Sequence, residues 1–160
     1  MMEKNKKKDD IFYMQSALHQ ARKALSVDEV PVGAIIVDPQ GVVIARAFNK
    51  VESKKTQTAH AELSALAKAG KRRGWRLDGC FIYVTLEPCS MCMNAILLSR
   101  MEGLIFGATS PIFGFQLDKN AIFPVYQLPM TVKSQVCDKE SAQMLKEFFK
   151  KKRRTTYENV

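Results

Sequence analysis

Phe81-Ile82-Tyr83-Val84-Thr85-Leu86-Glu87-Pro88-Cys89-Ser90-Met91-Cys92 is the stretch on which the reading of the fold turns. Its first six residues are apolar or β-branched with almost no interruption, the composition of a central strand buried on both faces. Glu87-Pro88 breaks the run. Proline lacks the N–H that a sheet ladder uses, and its fixed φ suits the opening turn of a helix. The strand therefore feeds directly into a helix carrying Cys89, Cys92, Ala95, Ile96 and Leu97. Leu104-Ile105-Phe106, before Gly107, reads as a further short strand, and the strand–helix–strand order argues for parallel pairing.

Upstream, apolar residues recur at Ile11, Met14, Leu18, Ala21 and Leu25, which is helical spacing with one buried stripe. Residues 32–37 and 42–47 are β-rich, and Asp38-Pro39-Gln40-Gly41 between them supplies the turn chemistry of a hairpin. A mostly polar loop is expected over 49–57, with Thr58 as N-cap of a helix over 59–69 that Gly70 stops. Downstream, residues 109–136 are irregular, with short strands possible at 125–128 and 130–132. A helix over 139–151 closes the fold. A mixed sheet covered by helices is the economical way to bury these faces. The expected organisation is a charged N-terminus over 1–10, one domain over 11–153 and a tail over 154–160.

The chain has 160 residues, 46% of them apolar, enough for one core. It has no run of about 18 apolar residues that would span a bilayer and no apolar leader after Met1, so a cytoplasmic location without membrane attachment is expected. The formal net charge is +9, with basic patches at 4–8, 71–76 and 150–154. Charge of this sign suits a polyanionic partner such as nucleic acid, although blocks of like charge also occur as solvated tails.

Four cysteines, Cys80, Cys89, Cys92 and Cys137, favour metal binding over disulfides in a cytosolic chain of this size. A Cys-x-x-Cys pair brings two sulfurs to one ion, but a structural zinc site closes its tetrahedron with four protein ligands. There is no second such pair. The chain has two histidines: His19 lies on the first helix and reads as surface or packed, whereas His60 opens the helix that carries Glu62. Cys80 starts the strand leading to Cys89, and six extended residues carry it roughly 20 Å away. Cys137 reads as a free thiol. The natural set is His60, Cys89 and Cys92, three ligands with a fourth position open to water, the arrangement of a catalytic zinc. Zinc lowers the pKa of such a water from about 15.7 towards about 7. Glu62, two positions from His60, is placed to act as general base; the structural alternative is a first-turn carboxylate that complements the helix dipole.

His60-Ala61-Glu62 followed by Pro88-Cys89-Ser90-Met91-Cys92 is the signature of the zinc nucleobase deaminases. Within that superfamily the chain resembles the bacterial tRNA-specific adenosine deaminases. The resemblance rests on Glu29-Val30-Pro31-Val32-Gly33-Ala34, Asn49, Thr58-Ala59-His60-Ala61-Glu62, Tyr83 through Cys92, Ser99-Arg100 and Phe106-Gly107-Ala108. It implies a three-layer α/β/α cytidine-deaminase-like fold, with a central mixed five-stranded sheet flanked by helices. It implies one zinc per subunit, a homodimer, and conversion of adenosine to inosine at the wobble position of the tRNA anticodon loop. Hydroxide would add to C6 while Glu62 protonates the ring and then passes a proton to the departing ammonia. By the family's pattern Asn49 contacts the nucleoside; a loop-capping role is its alternative. Phe148 and Phe149, ahead of the basic residues 150–154, are candidates for stacking on RNA, with one of the two expected in the core. The chain departs from the family after Ala108, where Thr109-Ser110-Pro111-Ile112-Phe113-Gly114 replaces an acidic residue followed by Lys and Gly. Two other readings share some of these features. One is a deaminase of a free base or nucleoside, of the guanine or cytidine type. The other is a non-catalytic RNA-binding domain that zinc merely stabilises.

Overall fold

The computed structural model describes residues 9–117 and 129–158, with side chains up to residue 155. Among the described residues five α-helices and five strands follow one another as α1 (Asp10–Ser26), β1 (Gly33–Val37), β2 (Val43–Phe48), α2 (Val51–Lys54), α3 (Ala61–Arg73), β3 (Phe81–Leu86), α4 (Ser90–Leu98), β4 (Gly103–Ala108), β5 (Thr131–Lys133) and α5 (Asp138–Glu158). The strands form one sheet in the order β2-β1-β3-β4-β5. β1 pairs antiparallel with both β2 and β3, whereas β3–β4 and β4–β5 are parallel. The sheet is mixed, as expected, and β3 lies at its centre.

Alternation along the strands sorts two cores. Ala34, Ile36, Ile82, Val84, Leu104 and Phe106 join Ala61, Ala65 and Ala69 of α3 and Met93 and Ile96 of α4 on one face. Ile35, Val37, Tyr83 and Ile105 pack against Tyr13, Met14, Ala17 and Leu18 of α1 on the other, with Met144 of α5 alongside. Gly33 sets the depth of that second contact. A Cβ there would lie 2.1 Å from the Ala17 carbonyl oxygen, so only glycine lets α1 settle this close to β1. Asp9 caps α1 by accepting the Phe12 N–H at 2.8 Å.

Several boundaries differ from the sequence reading. The polar stretch expected as a loop over 49–57 contains α2, because the buried Glu29 carboxylate accepts the Glu52 and Ser53 N–H groups and so caps a helix for which local sequence shows no cap. Thr58 is not the cap of α3. It sits in a 3-10 turn spanning Gln57–Ala59, and His60 itself is the N-cap residue. Gly70 does not stop α3, since that helix runs on to Arg73 and ends at Gly74, whose φ of 82° takes the chain out of the helix. Likewise α4 starts one residue after its N-cap Cys89, so Pro88 lies just outside it. A strand is present at Thr131–Lys133, beside the expected 130–132, while 125–128 lies outside the described residues. The last helix extends to Glu158, through part of the segment read as a tail.

Candidate active site

Two helix starts meet at one end of the sheet. His60 is the N-cap residue of α3 and Cys89 that of α4, with Cys92 in the first turn. The ligand atoms of His60, Cys89 and Cys92 lie within 4.8 Å of one another, with His60 Nδ1 3.7 Å from Cys89 Sγ and 3.4 Å from Cys92 Sγ. A tetrahedral zinc with bonds of about 2.3 Å to sulfur and about 2.0 Å to nitrogen holds such atoms roughly 3.5 Å apart. The observed spacing therefore fits that ion. Among the described residues this is the one His/Cys/Asp/Glu group close enough to hold a metal. Cys80 is buried in the core and Cys137 half-buried at the start of α5, both outside the cluster, as expected.

The local electrostatics suit a dication. The hydrogen bond from Cys92 overcomes burial and brings the Cys89 thiol down to about 4, while that same bond and burial push Cys92 up. The hydrogen bond with Cys89 raises His60 against its own desolvation. The unpaired N–H groups at the start of α4 also favour negative sulfur there.

Glu62, in the first turn of α3, is only 4% exposed. Burial pushes its carboxyl up to about 7, against the opposing pull of its own backbone N–H and of His60. A carboxyl held near neutrality gives and takes protons with little driving force lost in either direction. Glu62 lies close enough to the donor cluster for the charges of His60 and Cys89 to act on it.

His60, Glu62 and Cys89 lie along a cleft of about 670 Å³. Val30, Val32, Asn49 and Glu52 line it on one side, Ser110 and Phe113 on the other. Two buried carboxylates that sequence reading assigned no role hold those walls. Glu29, fully buried, accepts from Asn49 Nδ2 at 3.4 Å, Glu52 N at 3.1 Å and Ser53 N at 2.7 Å. Glu87, 3% exposed, accepts from Ser110 N at 2.9 Å and Gln116 N at 3.2 Å. Gly114 makes room for the second clasp, because a Cβ there would lie 2.4 Å from the Glu87 carboxyl carbon. A charged residue followed within two positions by proline and bordering apolar residues is the one local signal that the two share.

Asn49 is buried, lines the cleft and donates to Glu29. Phe148 is buried, whereas Phe149 is 43% exposed and meets it edge-on at 5.3 Å. Neither ring lines the cleft.

Residues 7–108 match the family model for the zinc-binding region of cytidine and deoxycytidylate deaminases. The tRNA-specific adenosine deaminase of Aquifex aeolicus is 42% identical over 144 residues, covering 89% of this chain and 95% of that protein. A solved structure from work on A-to-I editing by tRNA:A34 deaminases at the wobble position of transfer RNA superposes with a TM-score of 0.76 at 39% identity, covering 84% of this chain and 99% of the other. The guanine deaminase from Nitrosomonas europaea, at 24% identity and a TM-score of 0.77 over 91% of this chain and 88% of its own, shares the fold.

Proposed function

The chain belongs to the zinc-binding cytidine and deoxycytidylate deaminase family and, within it, to the tRNA-specific adenosine deaminases, and from that premise we propose that it converts adenosine to inosine at the tRNA wobble position with Glu62 as its proton carrier. The observation that carries the assignment is a buried carboxyl beside three donor atoms spaced for one metal ion, at a cleft of about 670 Å³.

His60, Cys89 and Cys92 would hold the zinc, and zinc when bound supplies Lewis acidity that makes water a nucleophile at neutral pH. The rest falls to side chains of this chain. Glu62 takes a proton from the attacking water and places it on N1 as oxygen joins C6. It then takes the second proton from that oxygen and gives it to the C6 amino group. The C6–N bond breaks, ammonia leaves, and the carbonyl of inosine remains. Water and adenosine become inosine and ammonia, with Glu62 returned to its starting state.

Asn49 is proposed to orient the nucleoside from the cleft wall, its amide held by Glu29. Phe149, exposed ahead of Lys150 to Arg154, is proposed to meet RNA, with Phe148 supporting its ring from below. We further propose a single deaminase domain over 11–153, a homodimer, and a cytoplasmic location. No helix among the described residues is long and apolar enough to cross a membrane.

The test is incubation with an anticodon stem-loop carrying a wobble adenosine, and separately with free adenosine, cytidine and guanine, followed by product analysis. Inosine in the stem-loop alone is expected. Deamination of a free base alone would overturn the tRNA assignment.

A further inference from the structure

One edge of the sheet is strand β2, and basic side chains run along it. Lys68 of α3 reaches around the edge to donate to the Arg46 carbonyl at 2.7 Å, and Arg72, one turn on, donates to the Ile44 carbonyl at 3.1 Å. On the α1 face of the same edge, Arg46 shares an open hollow of about 460 Å³ with His19 and Lys23. Past the end of β2, Lys50 lies over the Phe48 ring at 4.7 Å, and Lys54 ends α2, the helix whose residues Val51 and Glu52 border the cleft. Between residues 43 and 60 the sequence has one acidic residue, Glu52, against Arg46, Lys50, Lys54 and Lys55.

Capping an exposed strand edge explains Arg72 and one of the three donors of the Lys68 ammonium. It does not explain the others. Among the described residues, the side chains of Lys23, Arg46, Lys50 and Lys54 meet no carboxylate within ion-pair distance and donate to no carbonyl. They are nonetheless gathered closely enough that Lys50, Lys23 and Lys54, after burial, hold the Lys68 ammonium below its ordinary value. Like charge concentrated without counter-charge raises the energy of the free protein, and a polyanion relieves it. The track leads to the mouth of the cleft, so the polyanion it meets is the one whose nucleotide enters there.

We propose that Lys23, Arg46 and Lys68, continued by Lys50 and Lys54 to the cleft, form a phosphate track that grips the tRNA backbone outside the loop being deaminated. The proposal rests on the tRNA reading above. It adds a contact surface at the β2 edge, built on this chain's own residues, that is separate from the catalytic cleft.

The experiment compares the full-length enzyme with its Lys23→Gln/Arg46→Gln/Lys68→Gln variant on two RNAs, an intact tRNA and a loop-only oligonucleotide with the same wobble adenosine. The dissociation constant is measured against salt concentration, together with inosine formation. The variant is expected to bind tRNA about tenfold or more weakly, with a log–log salt slope shallower by about 2, since each lost phosphate contact removes about 0.7–0.9. Affinity for the loop oligonucleotide and turnover at saturation should stay at wild-type values. Unchanged tRNA affinity and slope, or equal losses on both RNAs, would overturn the track while leaving the catalytic reading intact. Absence of inosine from both RNAs with the wild-type enzyme would instead sink that reading. Should loss of the Lys68 edge contact unfold the triple variant, Lys23→Gln/Arg46→Gln leaves that contact in place and decides the matter by a slope shallower by about 1.5. A Lys23→Arg/Arg46→Lys/Lys68→Arg variant must bind as wild type.

Discussion

Glu62 and Glu29 are both buried glutamates, yet their surroundings push them in opposite directions. Desolvation dominates at Glu62 and lifts it to about 7. At Glu29 desolvation also acts upward, but the hydrogen bonds from Ser53 and Glu52 together outweigh it, and the carboxyl ends below its ordinary value of 4.5. The first is suited to the proton transfer proposed for it, and the second is held as a fixed anion. Glu62→Gln should cut inosine formation by about 10²–10⁴-fold or more while zinc content and RNA affinity persist, as measured by product analysis, metal analysis and filter binding. Glu29→Gln should destabilise at neutral pH by roughly 1–3 kcal/mol, the worth of hydrogen bonds to a buried charge. Because the folded value is the lower one, that stabilisation is present above the unfolded value and lost as pH falls through the folded value. Denaturant midpoints of wild type and variant should therefore differ at pH 7 and converge in acid. A gap that stayed constant with pH would show that Glu29 acts through packing alone.

Among the elements, α1 and the segment after β4 depend on glycines for opposite reasons. Gly33 allows a helix to approach a strand, and Gly33→Ala puts a methyl 2.1 Å from the Ala17 oxygen. Overpacking of this kind costs about 1–3 kcal/mol and should appear as a lower denaturation midpoint. Gly114 allows a loop to close over a carboxylate. Gly114→Ala forces the Glu87 carboxyl from a position where its neighbour would stand 2.4 Å away, which frees Ser110 and with it the Phe113 wall of the cleft. Its expected effect is a raised KM together with a stability loss of about 1–3 kcal/mol from the displaced buried carboxylate. If stability fell with KM unchanged, the clasp would be part of the core and not of the cleft wall.

For the whole molecule, charge decides how the substrate is met. A net charge of +9, with exposed lysines and arginines on α3, the β2 edge and α5, makes association with RNA an ion-releasing process. Affinity for tRNA should fall linearly in log–log form as salt rises, whereas turnover of RNA already bound should respond weakly. Titration at several salt concentrations, with single-turnover rates at saturation, separates the two.

What the sequence determined by itself is what short segments determine locally. Residues 81–92 specify a central strand running into a helix start, because β-branched apolar residues, a proline and paired cysteines act within a dozen positions. His60 and Glu62 follow from the spacing of three ligands and an open fourth position, and the resemblance to known deaminases named the substrate. Only the tertiary structure decided what distant segments do to one another. Glu29 caps α2 and Glu87 clasps Ser110, each across more than twenty residues, and no local pattern encodes those partners. The helix end at Gly74, in place of Gly70, was likewise set by tertiary contacts, since a glycine inside a helix costs only about 1 kcal/mol and the extra turn is anchored by Arg72 on the Ile44 carbonyl and Arg73 on Asp38. The basic edge of β2 was invisible for the same reason: Lys23, Arg46 and Lys68 are scattered singly along the chain and become one surface only when α1 and α3 close over opposite faces of the sheet.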